Sequence, residues 1–138
     1  MPKTILTNTN VLKAYLDCRH NKRKTINALK FEMNLEHNLS ELLLELQNRT
    51  YTPGRSICFV VTKPKPREIF AAEFCDRVVH HVLINQVQKI WERQIFLDDS
   101  YACRPNKGNH YGVERLQKYA KEYCYYGSFD IANFFGSI

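Results

Sequence analysis

CFVVTKPKPREIFAAEFCDRVVHH, running from Cys58 to His81, is the stretch that organises the reading of the whole chain. An apolar run from Ile57 to Thr62 meets a turn carrying Lys63, Lys65 and Arg67, and a second short run, Glu68 to Ala72, leads back. The pattern predicts a β-hairpin over 57–72 with a cationic tip. Pro64 and Pro66 have no N–H and cannot sit inside a paired strand, and each biases the lysine before it toward extended geometry. Cations on a stiff turn suit an anionic ligand, such as a triphosphate or a nucleic-acid backbone. The same charges also fit an exposed edge hairpin kept soluble by lysines, and charge alone does not separate the two.

Working outward toward the N-terminus, Asn10 is placed to cap a first helix whose face carries Val11, Leu12, Tyr15 and Leu16. A cationic run, Arg19 to Lys24, then reads either as a solvated linker or as a phosphate contact. A second helix is expected over Thr25–Met33. Asn34 is placed to cap a third, with Leu35, Leu39, Leu42, Leu43 and Leu46 at helical spacing for packing. Tyr51-Thr52-Pro53-Gly54 is expected to break that helix and deliver the chain to the hairpin.

On the other side of the hairpin, Asp76 is placed to cap the longest helix, about 76–96, with a face of Val79, Val82, Leu83, Val87, Ile90 and Trp91. His80 and His81 are adjacent and point apart, so they cannot chelate one ion. A further helix, about 109–123, presents Val113, Leu116, Ala120 and Tyr123. Tyr126, Ser128 and Asp130 alternate with Gly127, Phe129 and Ile131, a period of two that predicts a strand ending on an aspartate.

The whole is 138 residues with 44% hydrophobic content, enough for one globular unit with a core. A formal charge of +6 favours polyanionic partners. There is no run of eighteen apolar residues and no apolar segment after Met1, so a cytoplasmic location is expected. Five cysteines without a Cys-x-x-Cys pair indicate neither a disulfide framework nor a zinc site, and are expected to be reduced and mostly buried.

The run from Lys65 to His81, then Asp99-Ser100-Tyr101-Ala102-Cys103-Arg104 with Gly108 and His110, then Phe129-Asp130-Ile131-Ala132-Asn133-Phe134-Phe135, resembles the ordered early motifs of bacterial retroelement reverse transcriptases. The nearest flavour is the diversity-generating retroelement type, with retron and group II intron enzymes as cousins. The likeness covers the chain from about Asn34 onward, and several motifs in order are more specific than any one. It implies an α+β, helix-rich partial fold: an N-terminal helical region (1–56), fingers (57–125) and the truncated start of a palm (126–138) of a right-hand polymerase.

It also implies roles. Asp130 corresponds to the first metal-binding catalytic aspartate, with the backbone carbonyl of Ile131 as a helper. Arg67 matches a fingertip arginine on the incoming triphosphate, with Lys65 beside it on the nucleotide and Lys63 on the template. Arg104 and Lys107 match a loop beside the template strand. Phe135 falls where a bulky side chain lies under the sugar of the nucleotide and rejects a ribose 2′-OH by clash.

The reaction would be RNA-directed DNA synthesis. The partners would be an RNA template, a DNA or RNA primer, dNTPs and a small basic accessory protein. The cofactor would be two Mg²⁺ ions. Two-metal phosphoryl transfer needs carboxylates holding ions about 4 Å apart, and one aspartate cannot hold both. Phe96-Leu97-Asp98-Asp99 mimics the family's later aromatic-x-Asp-Asp box but precedes Asp130, so it is not taken as catalytic. The expectation is therefore a fragment without polymerase activity of its own, whose strand at 126–131 lacks its neighbours and favours self-association. The alternative is a non-catalytic RNA-binding or assembly module derived from such fingers.

Overall fold

The computed structural model describes residues 5–20, 25–132 and 134. Among them are five helices and one two-stranded antiparallel sheet, a helix-rich α+β arrangement. The elements are α1 (Asn8–His20), α2 (Ile26–Glu32), α3 (Leu35–Asn48), β1 (Ile57–Val61), β2 (Arg67–Ala71), α4 (Phe74–Gln94) and α5 (Asn109–Glu122). The chain divides into two compact units, residues 1–94 and 95–138.

In the first unit α1 packs on α4 and α3, and α2 joins both α3 and α4. Val11, Ala14, Tyr15 and Cys18 of α1 meet Leu42 and Leu43 of α3 and Phe74, Val78, Val79 and Val82 of α4 in one core. Tyr15, Phe31 and Phe74 form an aromatic trio, with centroids 5.3 to 6.3 Å apart. Polar ties lock the helices in register. The Tyr15 hydroxyl donates to Glu32 at 2.8 Å, and the Arg19 guanidinium forks onto the same carboxylate. The Asn38 side chain donates to the Phe31 carbonyl at 2.8 Å, and Asn85 reaches Asp17 at 2.8 Å.

Several expectations are corrected here. The buried face of α1 is Val11, Ala14, Tyr15 and Cys18, and it leaves Leu12 and Leu16 exposed. Thr7 caps α1, its Oγ1 accepting from the Asn10 N–H at 3.3 Å, while the Asn10 side chain reaches back to the Ile5 carbonyl. Asn34 precedes α3 without a side-chain cap bond. That helix stops at Arg49, in the left-handed conformation with φ 61°, before the Tyr51–Gly54 turn is reached. Helix α4 begins at Phe74, so Asp76 lies inside its first turn and is buried. Ile90 is exposed and Trp91 marginally so, because only the first half of α4 is covered by the other helices. Of the cysteines, Cys18 is buried and Cys75 half-buried, whereas Cys58, Cys103 and Cys124 are exposed.

The hairpin forms as expected, with Ile57 opposite Ala71 and Val61 opposite Arg67. Residues 62–66 make the turn.

In the second unit, residues 95–108 form a loop that leads into α5 through Gly108, whose φ of 127° suits glycine alone. Cys103 and Asn106 also take positive φ, 56° and 58°. The predicted strand over Tyr126–Ile131 is absent: the segment is irregular and exposed, with Tyr126 97% and Phe129 96% accessible. Alternation describes which side chains could share a face, but a strand exists only when a neighbour takes its N–H and C=O groups, and no described residue does so. Among the described residues, no helix is long and apolar enough to cross a membrane.

Candidate functional site

The hairpin presents its charge in one place. Lys63 and Lys65 occupy the turn and Arg67 opens β2, all three exposed. None has a hydrogen-bond or ion-pair partner among the described residues. The nearest carboxylate in sequence, Glu68, does not neutralise Arg67, because successive strand residues point to opposite faces. Arg67 shares its face with Val61, Ile69 and Phe59, while Glu68 stands with Val60 and Phe70. The tip is therefore a compact, solvated, uncompensated positive group on a two-stranded lever.

The base of that lever is polar and was not anticipated from the sequence. The Tyr51 hydroxyl donates to the buried carboxylate of Asp76, and the Gly54 N–H donates to both its oxygens, at 3.2 and 3.1 Å. Burial, and next the hydrogen bond and charge of Asp76, push the Tyr51 phenol well above its usual value. Burial, followed by the charge of Asp76 beside it, also raises the Cys75 thiol to about 11. Nothing in the sequence links positions 51, 54 and 76 in advance, since a hydrogen bond across 25 residues leaves no periodic trace.

Arg104 and Lys107 are occupied differently. The Arg104 guanidinium donates to the carbonyls of Leu97 and Ser100, at 2.6 and 2.9 Å, and lies 5.1 Å over the Phe96 ring. The Lys107 ammonium donates to the Asp98 carbonyl and sits 5.8 Å over the Tyr101 ring. Both cations are spent on holding the 95–108 loop in shape.

Asp99 is the centre of a second polar group in the same unit. It accepts from the Tyr101 hydroxyl at 2.5 Å, the Tyr119 hydroxyl at 2.8 Å and the Arg115 guanidinium at 3.1 Å. The two tyrosine hydroxyls, and then Arg115, hold its carboxyl down to about 2. Tyr101 also packs on Tyr111 at 5.8 Å, and a Cβ on Gly112 would come within 3.1 Å of its ring. This network docks the loop onto α5.

Asp130 and Ile131 are exposed on the irregular segment after α5. Phe135 lies outside the described residues. The donor set does not fit a pair of Mg²⁺ ions: Asp130 is one carboxylate, and among the described residues no group of three His, Cys, Asp or Glu side chains could hold a metal.

No family model matches the chain, and no curated protein matches it.

Proposed function

We propose that this chain carries the fingers and the start of the palm of an RNA-directed DNA polymerase. Arg67 and Lys65 would engage the triphosphate of an incoming dNTP, and Lys63 the template. The observation that carries this reading is the uncompensated tip: three exposed cations without a partner among the described residues, on a hairpin whose one acidic neighbour faces the other way. A planar guanidinium suits two phosphate oxygens at once, and the lysines add point charge. The order of the motifs along the chain, ending on Asp130 and Ile131 as candidate metal ligands, supports the same reading. Arg104 and Lys107 would then shape a template-side loop by their internal bonds, with less charge left to offer a phosphate directly. Phe135 remains the proposed residue under the nucleotide sugar.

The chemistry itself needs carboxylates beyond Asp130, so residues 1–138 alone are expected to extend no primer. A second reading is a non-catalytic RNA-binding module, in which the same exposed cations meet RNA phosphates. One substitution separates them. In the complete polymerase, Arg67→Ala should weaken dNTP use about ten- to a hundredfold, the range for losing charge-assisted bonds. RNA affinity, measured by filter binding, should stay as in the parent. RNA binding that is lost in Arg67→Ala, with no dNTP incorporation by the parent protein, would favour the second reading.

A further inference from the structure

The two legs of the hairpin are tied to one turn of α4 by adjacent residues of opposite charge. On the incoming leg, Asp76 accepts from the Tyr51 hydroxyl and the Gly54 N–H. On the outgoing leg, the Arg77 Nε–H donates to the Ala72 carbonyl at 2.9 Å. The legs run side by side at this level, since a Cβ placed on Gly54 would lie 2.9 Å from the Glu73 carboxylate.

Apolar packing contributes at Tyr51, which lies against the core, and less around it. A cleft of about 310 Å³ bordered by Pro53, Val79 and His80 opens beside one leg, and one of about 430 Å³ bordered by Ile26 and Asn27 beside the other. Beyond the joint, β1 and β2 are exposed along nearly their whole length. Asp76 is also the one buried charged side chain among the described residues. Burying a carboxylate is costly, and an apolar side chain would fill the space more cheaply. What the carboxylate adds is direction, because it takes two donors from one leg at fixed angles.

We propose that Asp76 and Arg77 are positioning residues that together set the angle at which the hairpin leaves the helical unit, and so where Lys63, Lys65 and Arg67 present their charge. The consequence for ligand binding rests on reading the tip as a phosphate-binding element; the joint itself does not. Three cations on a lever act on one triphosphate only if the lever is held still, since each ordered side chain already costs conformational entropy.

Amide hydrogen exchange on this chain tests the joint. Tyr51→Phe and Arg77→Met each delete one bond and keep the side chain's bulk. Each should speed exchange in residues 57–61 and 67–71 by about tenfold while α1 and α3 keep their protection. Asp76→Asn retains an acceptor and should preserve most of the hairpin's protection, whereas Asp76→Ala should not. Affinity for inorganic triphosphate should fall in the same order. Unchanged hairpin exchange in both Tyr51→Phe and Arg77→Met would overturn the proposal. So would an equal rise throughout α1, α3 and α4, which marks general support of the core. If exchange responds as expected but the parent chain binds no triphosphate, the joint stands and the phosphate-binding reading of the tip falls.

Discussion

The unit made by residues 1–94 and the unit made by residues 95–138 use the same residue types to opposite ends. In the first, a core of aliphatic and aromatic side chains carries the stability, and three cations at the hairpin tip are left over. In the second, no described residue is buried, and Arg104, Lys107 and Arg115 are engaged in holding the loop and α5. Arg104 and Lys107 close the loop on its own carbonyls, and Arg115 joins Tyr101 and Tyr119 on Asp99. For the proposed phosphate contact, that contrast favours the hairpin tip over Arg104 and Lys107.

The sharpest way to break the comparison is through the core. Leu42→Ala removes a side chain that is 2% exposed at the centre of the first unit and should cost about 2–5 kcal/mol. Denaturant unfolding followed by NMR should show that loss in residues 1–94 and leave the Asp99 network untouched. Equal destabilisation of both units would mean that they fold as one, and the contrast would lose its basis.

Alkaline titration sharpens it next. The Tyr51 phenol and the Cys75 thiol are both raised on folding, so the folded first unit binds their protons more tightly than the unfolded chain does. Their contribution is fully present below about pH 9, where an unfolded thiol begins to ionise, and declines as pH rises through 11 and beyond. Asp76, Glu73, Glu45 and Glu41 all lie on the destabilising side for an added negative charge there. Stability of the first unit should fall across that window, and Tyr51→Phe should make the fall shallower. A flat profile from pH 8 to 11 would contradict the burial of this joint.

The smallest effect is expected in the second unit. Arg104→Ala frees the carbonyls of Leu97 and Ser100 to water, so circular dichroism of the whole chain should barely change. Amide exchange within 95–108 should nevertheless rise to the level of an open loop. Continued protection there would show that the Asp99 network, and not Arg104, shapes the loop.

Much of this was legible in the sequence, for identifiable reasons. The hairpin and α4 follow from strong local signals: an apolar run, a proline-stiffened turn, then a long periodic stretch. The strand at 126–131 did not follow, because alternation reports what a segment would do beside a neighbour and cannot supply one. Leu12 and Leu16 were misplaced because helical periodicity marks a stripe about a hundred degrees wide without saying which edge the partner helix covers. At the candidate site the position of the three cations on an exposed turn followed from the prolines and the flanking apolar runs, while their roles rest on the resemblance. The fate of Arg104 and Lys107 was not, since nothing local distinguishes a cation bound to backbone carbonyls from one facing solvent. The Asp76 joint was missed for a related reason: an aspartate near a helix start reads as a cap, and only the fold shows that it faces inward.

The proposal that the hairpin tip, with Lys63, Lys65 and Arg67, binds the phosphates of a nucleotide is open to a direct test. Paramagnetic broadening by a nitroxide-labelled dATP in the amide spectrum of this 16.3 kDa chain tests it directly. The account predicts that residues 63–67 broaden and that Arg67→Ala abolishes the effect. No broadening at residues 63–67, or broadening there that persists after Arg67→Ala, would contradict it.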